Sequence, residues 1–306
     1  MARLFSLVAL LTIATLGVDV GAQTLSSSAL KDPPWLLLEL GKKAFREKNF
    51  GQALDYFRTS IANGVITPEA QMWIGRVFEE EGELDLAENQ YQKALADSSQ
   101  FEIPDEAAAI RYDLARIYYN TNQYGKYEVT LKNIVSEDKE YSDPKEAFTR
   151  RSMVRVLKTD GLDKLLVLYR LTNKKTLQAH SDLGELYYRT GRYSDAIMNL
   201  TFSTITILSV AIDRVAASDP QYEFSTIGAL FDITAKNTTV TDYLSSANLF
   251  KDLYYLAASL YAEGTTNRAT AIWRTVTRWS QKDAWYRQSA AQLRSPHIEP
   301  IMNIGN

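Results

Sequence analysis

IGRVFEEEGELDLAENQYQKA, residues 74–94, decides how this chain folds. Apolar residues recur at helical spacing on both sides of a glycine: Ile74, Val77 and Phe78 before Gly82, then Leu84, Ala87, Tyr91 and Ala94 after it. That pattern predicts two short amphipathic helices joined by a tight turn, because glycine adopts the left-handed conformation that closes a helix end. Taking Gly75 as origin, small residues stand at the origin and at +12 (Ala87), where they let the two helices approach. Large residues stand at −1, +3, +9 and +16 (Ile74, Phe78, Leu84, Tyr91), where they fill the seam.

The pattern repeats. A shift of 34 residues towards the N-terminus gives Leu40-Gly41 with Phe50, Ala53 and Phe57; further copies are Leu183-Gly184 with Tyr187, Gly191, Tyr193, Ala196 and Leu200, and Leu256-Ala257 with Leu260, Gly264, Ala269 and Trp273. A looser copy starts at Leu114-Ala115 with Tyr118, Asn122, Tyr124 and Leu131, and there Tyr127 replaces the small +12 residue. One such pair cannot bury its apolar face alone, so neighbours must stack. The chain resembles the tetratricopeptide repeat family, which implies an all-α, right-handed solenoid of antiparallel helix pairs. Ala115 to Gly184 is 69 residues and Gly184 to Ala257 is 73, each close to two periods, so each interval is expected to hide one degenerate pair. The first is placed within residues 145–171 and the second within 200–248, giving six or seven pairs.

The expected organisation is a leader over 1–22, a linker over 23–34, repeats over 35–199, an extended helix with an irregular helical insertion over 200–248, a repeat and cap helix over 249–294, and a tail over 295–306. Arg3 precedes an uncharged run from Leu4 to Leu16, too short to span a bilayer as a helix, and Val20-Gly21-Ala22 offers a cleavage site before Gln23. The leader therefore reads as a signal peptide, and the protein as exported to a periplasmic or secreted location. No cysteine follows the run, so a lipid anchor of the lipoprotein kind is not expected. Residues 196–212 form a second uncharged run, AIMNLTFSTITILSVAI. It begins in phase with the repeat and carries several polar residues, so it is read as a long buried helix rather than a membrane insertion, covered by residues 221–240 or by another protein.

Composition narrows the chemistry. The chain has 306 residues, with 34 Lys and Arg against 37 Asp and Glu, which gives no concentrated positive charge for nucleic acid. It has no cysteine and two histidines, His180 and His297, so thiolate zinc, iron–sulfur and cysteine-nucleophile chemistry are excluded. No phosphate loop, dinucleotide fingerprint or nucleophile elbow is present. Glu79-Glu80-Glu81 reads as a solvated helix end, His180 as a packing or groove residue, and His297 as exposed. No catalytic residue, metal or cofactor is expected.

The candidate site is a groove. Residues at −3, +1 and +4 of each first helix lie on one face, and in the proteins this chain resembles that face lines a concave groove. The +1 row reads Lys42, Arg76, Arg116, Glu185 and Ala258; the +4 row reads Phe45, Glu79, Tyr119, Tyr188 and Tyr261; the −3 row reads Leu38, Met72, Tyr112, Ser181 and Tyr254. Lys42, Arg76 and Arg116 would stack as a basic ladder unless Glu79 and Asp113 neutralise it. Phe45, Met72, Tyr112, Tyr119, Tyr188, Tyr254 and Tyr261 would supply stiff apolar area of the kind binding hot spots use. The carboxylate clamp of the family's chaperone-binding members is not reproduced, since Leu38 and Lys42 stand where Lys and Asn would be. The expected function is a non-enzymatic scaffold of the cell envelope that takes an extended peptide or acidic tail in this groove. A transporter accessory with a small-molecule pocket and a non-catalytic part of a cell-wall assembly are the alternatives.

Overall fold

The computed structural model describes residues 32–64, 67–280 and 282–302. The leader and most of the linker lie outside the described residues. The chain is built of helices: α1 (Pro34–Arg46), α2 (Phe50–Asn63), α3 (Thr67–Glu80), α4 (Leu84–Ala96), α5 (Asp105–Asn120), α6 (Tyr124–Ser136), a single turn α7 (Lys139–Ser142), α8 (Ala147–Thr159), α9 (Leu162–Leu168), α10 (Leu177–Arg189), α11 (Tyr193–Ser218), α12 (Ile227–Thr234), α13 (Thr238–Ser246), α14 (Leu249–Ala262), α15 (Thr266–Trp279) and α16 (Ala284–Arg294). No strand occurs among the described residues. Successive helices pair as α1–α2, α3–α4, α5–α6, α8–α9, α10–α11 and α14–α15; α2 stacks on α3, α4 on α5, α6 on α10, and α10 and α11 on α14, so that these pairs form a solenoid, while α8–α9 packs on α11. Two helices lie in each interval where a degenerate pair was expected, α8–α9 and α12–α13, but both pack on α11 instead of taking a place in the stack, where α6 meets α10 and α10 and α11 meet α14 directly.

The register follows from two kinds of position. Seven residues after each origin the backbone is left-handed, at Lys48, Gly82, Asn122, Gly191 and Gly264, with φ between 59° and 82°. Four of these are the Gly or Asn that the turn favours; Lys48 fills the same turn without that advantage. The origin glycines have a more specific task than general closeness of backbones. A Cβ on Gly41 would lie 2.4 Å from the Phe57 ring, one on Gly75 2.6 Å from Tyr91, and one on Gly184 2.4 Å from Leu200. Each origin is thus a socket for the +16 side chain of its partner helix, and Phe57, Tyr91, Leu131, Leu200 and Trp273 are all fully buried there.

The uncharged run of residues 196–212 lies within α11, a 26-residue helix that continues past the point where the other second helices stop. It is long and apolar enough to cross a membrane by length and composition, but 83% of its most apolar window is buried inside the protein. The cover comes from more elements than residues 221–240: α11 touches α8, α9, α10, α12, α13 and α14. Its apolar surface is used internally. The core is divided, with Leu38, Ala44, Ala53, Phe57, Ala70, Ile74 and Val77 in one small cluster and nearly all other buried apolar residues in a second. Trp73 and Phe78 pack against both.

Candidate functional site

On α1 and α3 the groove positions Lys42, Phe45 and Arg76 gather around a residue that the three rows do not contain. Trp73 packs edge-on against Phe45 at 5.3 Å and stacks with Phe57 at 6.2 Å. The Arg76 guanidinium lies over its ring at 4.7 Å and the Lys42 ammonium at 5.9 Å, a favourable arrangement because the ring face carries partial negative charge. Its signal in the sequence was an aromatic beside the apolar Ile74, one step off the counted face. Phe45 also meets Phe50 at 5.8 Å.

The basic ladder is not a free positive strip. Lys42 pairs with Glu39 at 2.8 Å, Arg76 with Asp113 at 3.7 Å, and Arg116 with Glu79 at 2.7 Å and Asp113 at 2.9 Å. Glu79 also accepts a hydrogen bond from the Tyr91 hydroxyl. The three basic side chains therefore alternate with carboxylates, as the neutralised reading of the row requires. Burial raises Asp113 above the usual carboxylate range, against the pull of Arg76 and Arg116. Arg116 is lifted further by Glu79 and Asp113, which outweigh the burial that opposes its charge. The accessible part of this half is Arg116, with 54% of its side chain exposed, and Tyr119, 43% exposed. Met72 does not belong to the groove; it is fully buried in the core.

Tyr112 joins the two halves. Its hydroxyl donates to the Lys175 carbonyl at 2.6 Å and accepts from the Ala179 N–H at 3.2 Å, and burial pushes it up to about 12. Beyond it Lys251 sits 3.3 Å from Asp182 and 3.4 Å from Glu185, and Arg189 pairs with Glu185 at 2.8 Å while donating to the Tyr255 hydroxyl. Burial alone would lower Lys251, but Asp182, Asp252 and Glu185 outweigh it and hold the amine above its usual range.

On α10 and α14 the groove positions Ser181, Tyr188, Tyr254 and Ala258 are buried, and Glu185 and Tyr261 are half-buried. Tyr188 and Tyr254 are 3% and 1% exposed. With Tyr255 and Trp285 they form an aromatic bed, ring centroids 5.3 to 5.7 Å apart. The chain after α16 lies across this bed: the Tyr254 hydroxyl donates to Glu299, the Tyr261 hydroxyl donates to the Pro296 carbonyl at 3.3 Å, and the Met302 N–H donates to the Arg189 carbonyl at 2.7 Å. Burial, and after it the bond to Glu299, raises Tyr254 far above the usual phenol range.

His180 is a packing residue, fully buried between Tyr141 at 4.3 Å and Phe202 at 4.5 Å. Its Nδ1–H donates to the Asn199 side-chain oxygen at 2.9 Å, and burial lowers it to about 4, so it is neutral. Beside it in sequence, Ser181 donates to the buried Asp252 at 2.5 Å, and burial raises that carboxyl to about 6. His297 is exposed. Among the described residues no cluster of His, Asp and Glu could hold a metal. Two clefts lie away from the groove, one of about 300 Å³ between α8–α9, α12 and α15 and one of about 420 Å³ lined by Phe231, Leu244, Phe250 and Trp279. Neither is the closed apolar cavity that a small-molecule accessory calls for.

Residues 38–103, spanning α1 to α4 and the turn beyond, match the tetratricopeptide repeat model. These residues carry tetratricopeptide repeats. A Treponema pallidum (strain Nichols) protein named "Uncharacterized protein" is 26% identical to this chain over 229 residues, 74% of this chain and 61% of that one. The alignment thus spans about three fifths of that relative's length. A solved structure of Pseudomonas aeruginosa pilF covers 85% of this chain and 97% of its own at 15% identity and a TM-score of 0.38, and no functional statement passes between the two at that level.

Proposed function

We propose that this protein is an exported scaffold that binds an extended segment of a partner protein along its concave face, entering at the open half formed by α1, α3 and α5. Tetratricopeptide repeats are generally protein-interaction units without catalysis, and the match over residues 38–103 covers α1 and α3 of this half and ends just before α5. The observation that carries the reading is the accessible pair Arg116 and Tyr119 on α5, with Arg116 joined through Asp113 to the Arg76 that lies over Trp73. An arginine already oriented by two carboxylates and a stiff aromatic offer directional bonds and apolar area with little ordering cost. Since Glu79 and Asp113 balance the row, the partner is recognised by donors and rings rather than by a surplus of positive charge. Export rests on the leader pattern of residues 1–22 and gives a mature N-terminus at Gln23.

The test is site-specific crosslinking in cells. A photo-crosslinking residue at Tyr119 should trap one defined protein, while the same residue at Leu86, exposed on the second helix of its pair, should not. Adding Arg116→Ala should lower the yield at least tenfold with the melting temperature unchanged, as expected for losing a charge-assisted contact of about 1.5 to 3 kcal/mol. Equal trapping from Tyr119 and Leu86 would reject the groove, and an N-terminus other than Gln23 would reject the cleavage site.

A further inference from the structure

The chain after α16 is the part of the molecule whose placement the repeat architecture does not require. α16 already closes the stack by packing on α14 and α15, with Asp283 capping its first turn through the Tyr286 N–H. Residues 295–302 then turn back over the concave face and reach the α10–α11 turn. There the Ile301 side chain lies 3.0 Å from the place a Cβ would take on Gly191.

The segment is held as a ligand is held. It has no helical or strand structure, and Pro296 and Pro300 fix their own φ and keep Ser295 and Glu299 extended, which lowers the entropy lost on docking. Its bonds to the groove use groups that any extended acidic peptide possesses. A main-chain N–H at Met302 meets the Arg189 carbonyl, one of the carbonyls left unpaired at the end of α10. A main-chain carbonyl at Pro296 meets Tyr261, and a carboxylate at Glu299 meets Tyr254. Its apolar attachment is uneven: Met302 packs against the core, while Ile298 and Ile301 remain 48% and 61% exposed. The bed beneath is a set of stiff rings at Tyr188, Tyr254, Tyr255 and Trp285, of which the three tyrosines are 1 to 3% exposed with the segment in place.

We infer that residues 295–302 are a tethered occupant of the α10–α14 groove, displaced by a partner's extended segment that carries a carboxylate two residues before an aliphatic side chain, as Glu299 and Ile301 do. This rests on the reading of the concave face as a peptide groove and adds who sits in its second half and what must leave. A short tether gives the resident segment an effective concentration of ~mM, so only a partner already held elsewhere, such as at the open half, competes well.

The experiment uses the full mature chain and a fluorescent synthetic peptide of sequence SPHIEPIM with an amidated end. In the variant Glu299→Lys/Ile301→Asp, which alters only the segment and leaves the groove intact, the peptide should bind saturably and at least tenfold tighter than to the unaltered chain. Adding Tyr254→Phe should weaken it at least threefold, and a peptide with lysine in place of its glutamate should not bind. A folded variant that takes up no peptide, or an unaltered chain that binds it equally well, overturns the inference. So does a melting temperature more than about 10 °C lower in the variant, which would make the segment a structural strap. Crosslinking from Tyr119 is independent of all these outcomes, so loss of peptide binding with crosslinking retained refutes the tethered occupant alone.

Discussion

On α3 and α5 the groove-facing positions hold Arg76, Glu79, Arg116 and Tyr119, whereas on α10 and α14 the same positions hold Glu185, Tyr188, Ala258 and Tyr261. The first set neutralises itself within the face and stays partly hydrated; the second buries its rings under another piece of the same chain. The difference shows how one scaffold treats two surface chemistries. Ion pairs at a partly exposed face add little stability, of the order of 0 to 1 kcal/mol each, so their use is to hold Arg116 in place. Aromatic rings left uncovered would be a large apolar patch of the kind that invites association, and residues 295–302 remove it at the cost of filling half the groove.

The largest effect that would break this contrast is expected at the seam. Trp73 touches both core clusters and anchors the open half, so Trp73→Ala should cost about 3 kcal/mol and uncouple α1–α2 from the rest. Calorimetry should show a separate early transition in place of a single one. A single transition shifted by less than 2 °C would mean that the open half does not depend on Trp73.

A smaller effect sharpens the other side. Burial holds the Asp252 carboxyl up to about 6, above its ordinary value near 3.9. The folded state therefore binds this proton more tightly than the unfolded chain, and the wild type loses stability as pH rises from about 4 to about 6, by about 3 kcal/mol. Asp252→Asn carries no such loss, so the stability difference should move in the variant's favour across that window. His180, lowered by burial to about 4, has the opposite sign, its stabilisation being lost as pH falls below about 6.5. It is present in both proteins and drops out of the difference. Denaturant titrations at pH 4 and pH 7 measure this, and a pH-independent difference would reject the buried acid beneath the covered half.

The smallest effect concerns the first turn. Lys48 occupies a left-handed position, φ 60°, which the other four turns give to Gly or Asn, so Lys48→Gly should stabilise the chain by about 0.5 to 1 kcal/mol. A lower melting temperature would show that the lysine side chain contributes more than its backbone strain costs.

How much of this was legible in the sequence depends on range. The small origins Gly75 and Gly184 and the large Tyr91 and Leu200 lie within one repeat, so a fixed spacing revealed both rows, though not that each origin seats the +16 side chain, and the absence of charge over residues 196–212 announced a buried helix. The partnership of Arg116 with Glu79 spans one period and was visible as a competing reading of the same row. Met72 was misplaced because a −3 position turns into the core once the next pair stacks on it. Trp73 was missed because its neighbours Phe45 and Phe57 come from the preceding pair. Nothing local linked Glu299 to Tyr254, 45 residues earlier, since the contact exists only after the end of the chain folds back.

One consequence of α11 concerns the order in which the molecule is made. The pairs α1–α2 and α3–α4 find their partners within a few dozen residues and can close as they leave the ribosome. α11 cannot, because α12, α13 and α14, which cover much of it, are synthesised later. Between those moments the uncharged stretch of residues 196–212 has no complete shelter, and the nascent chain passes through an interval in which its most apolar surface is open to chaperones or to other chains.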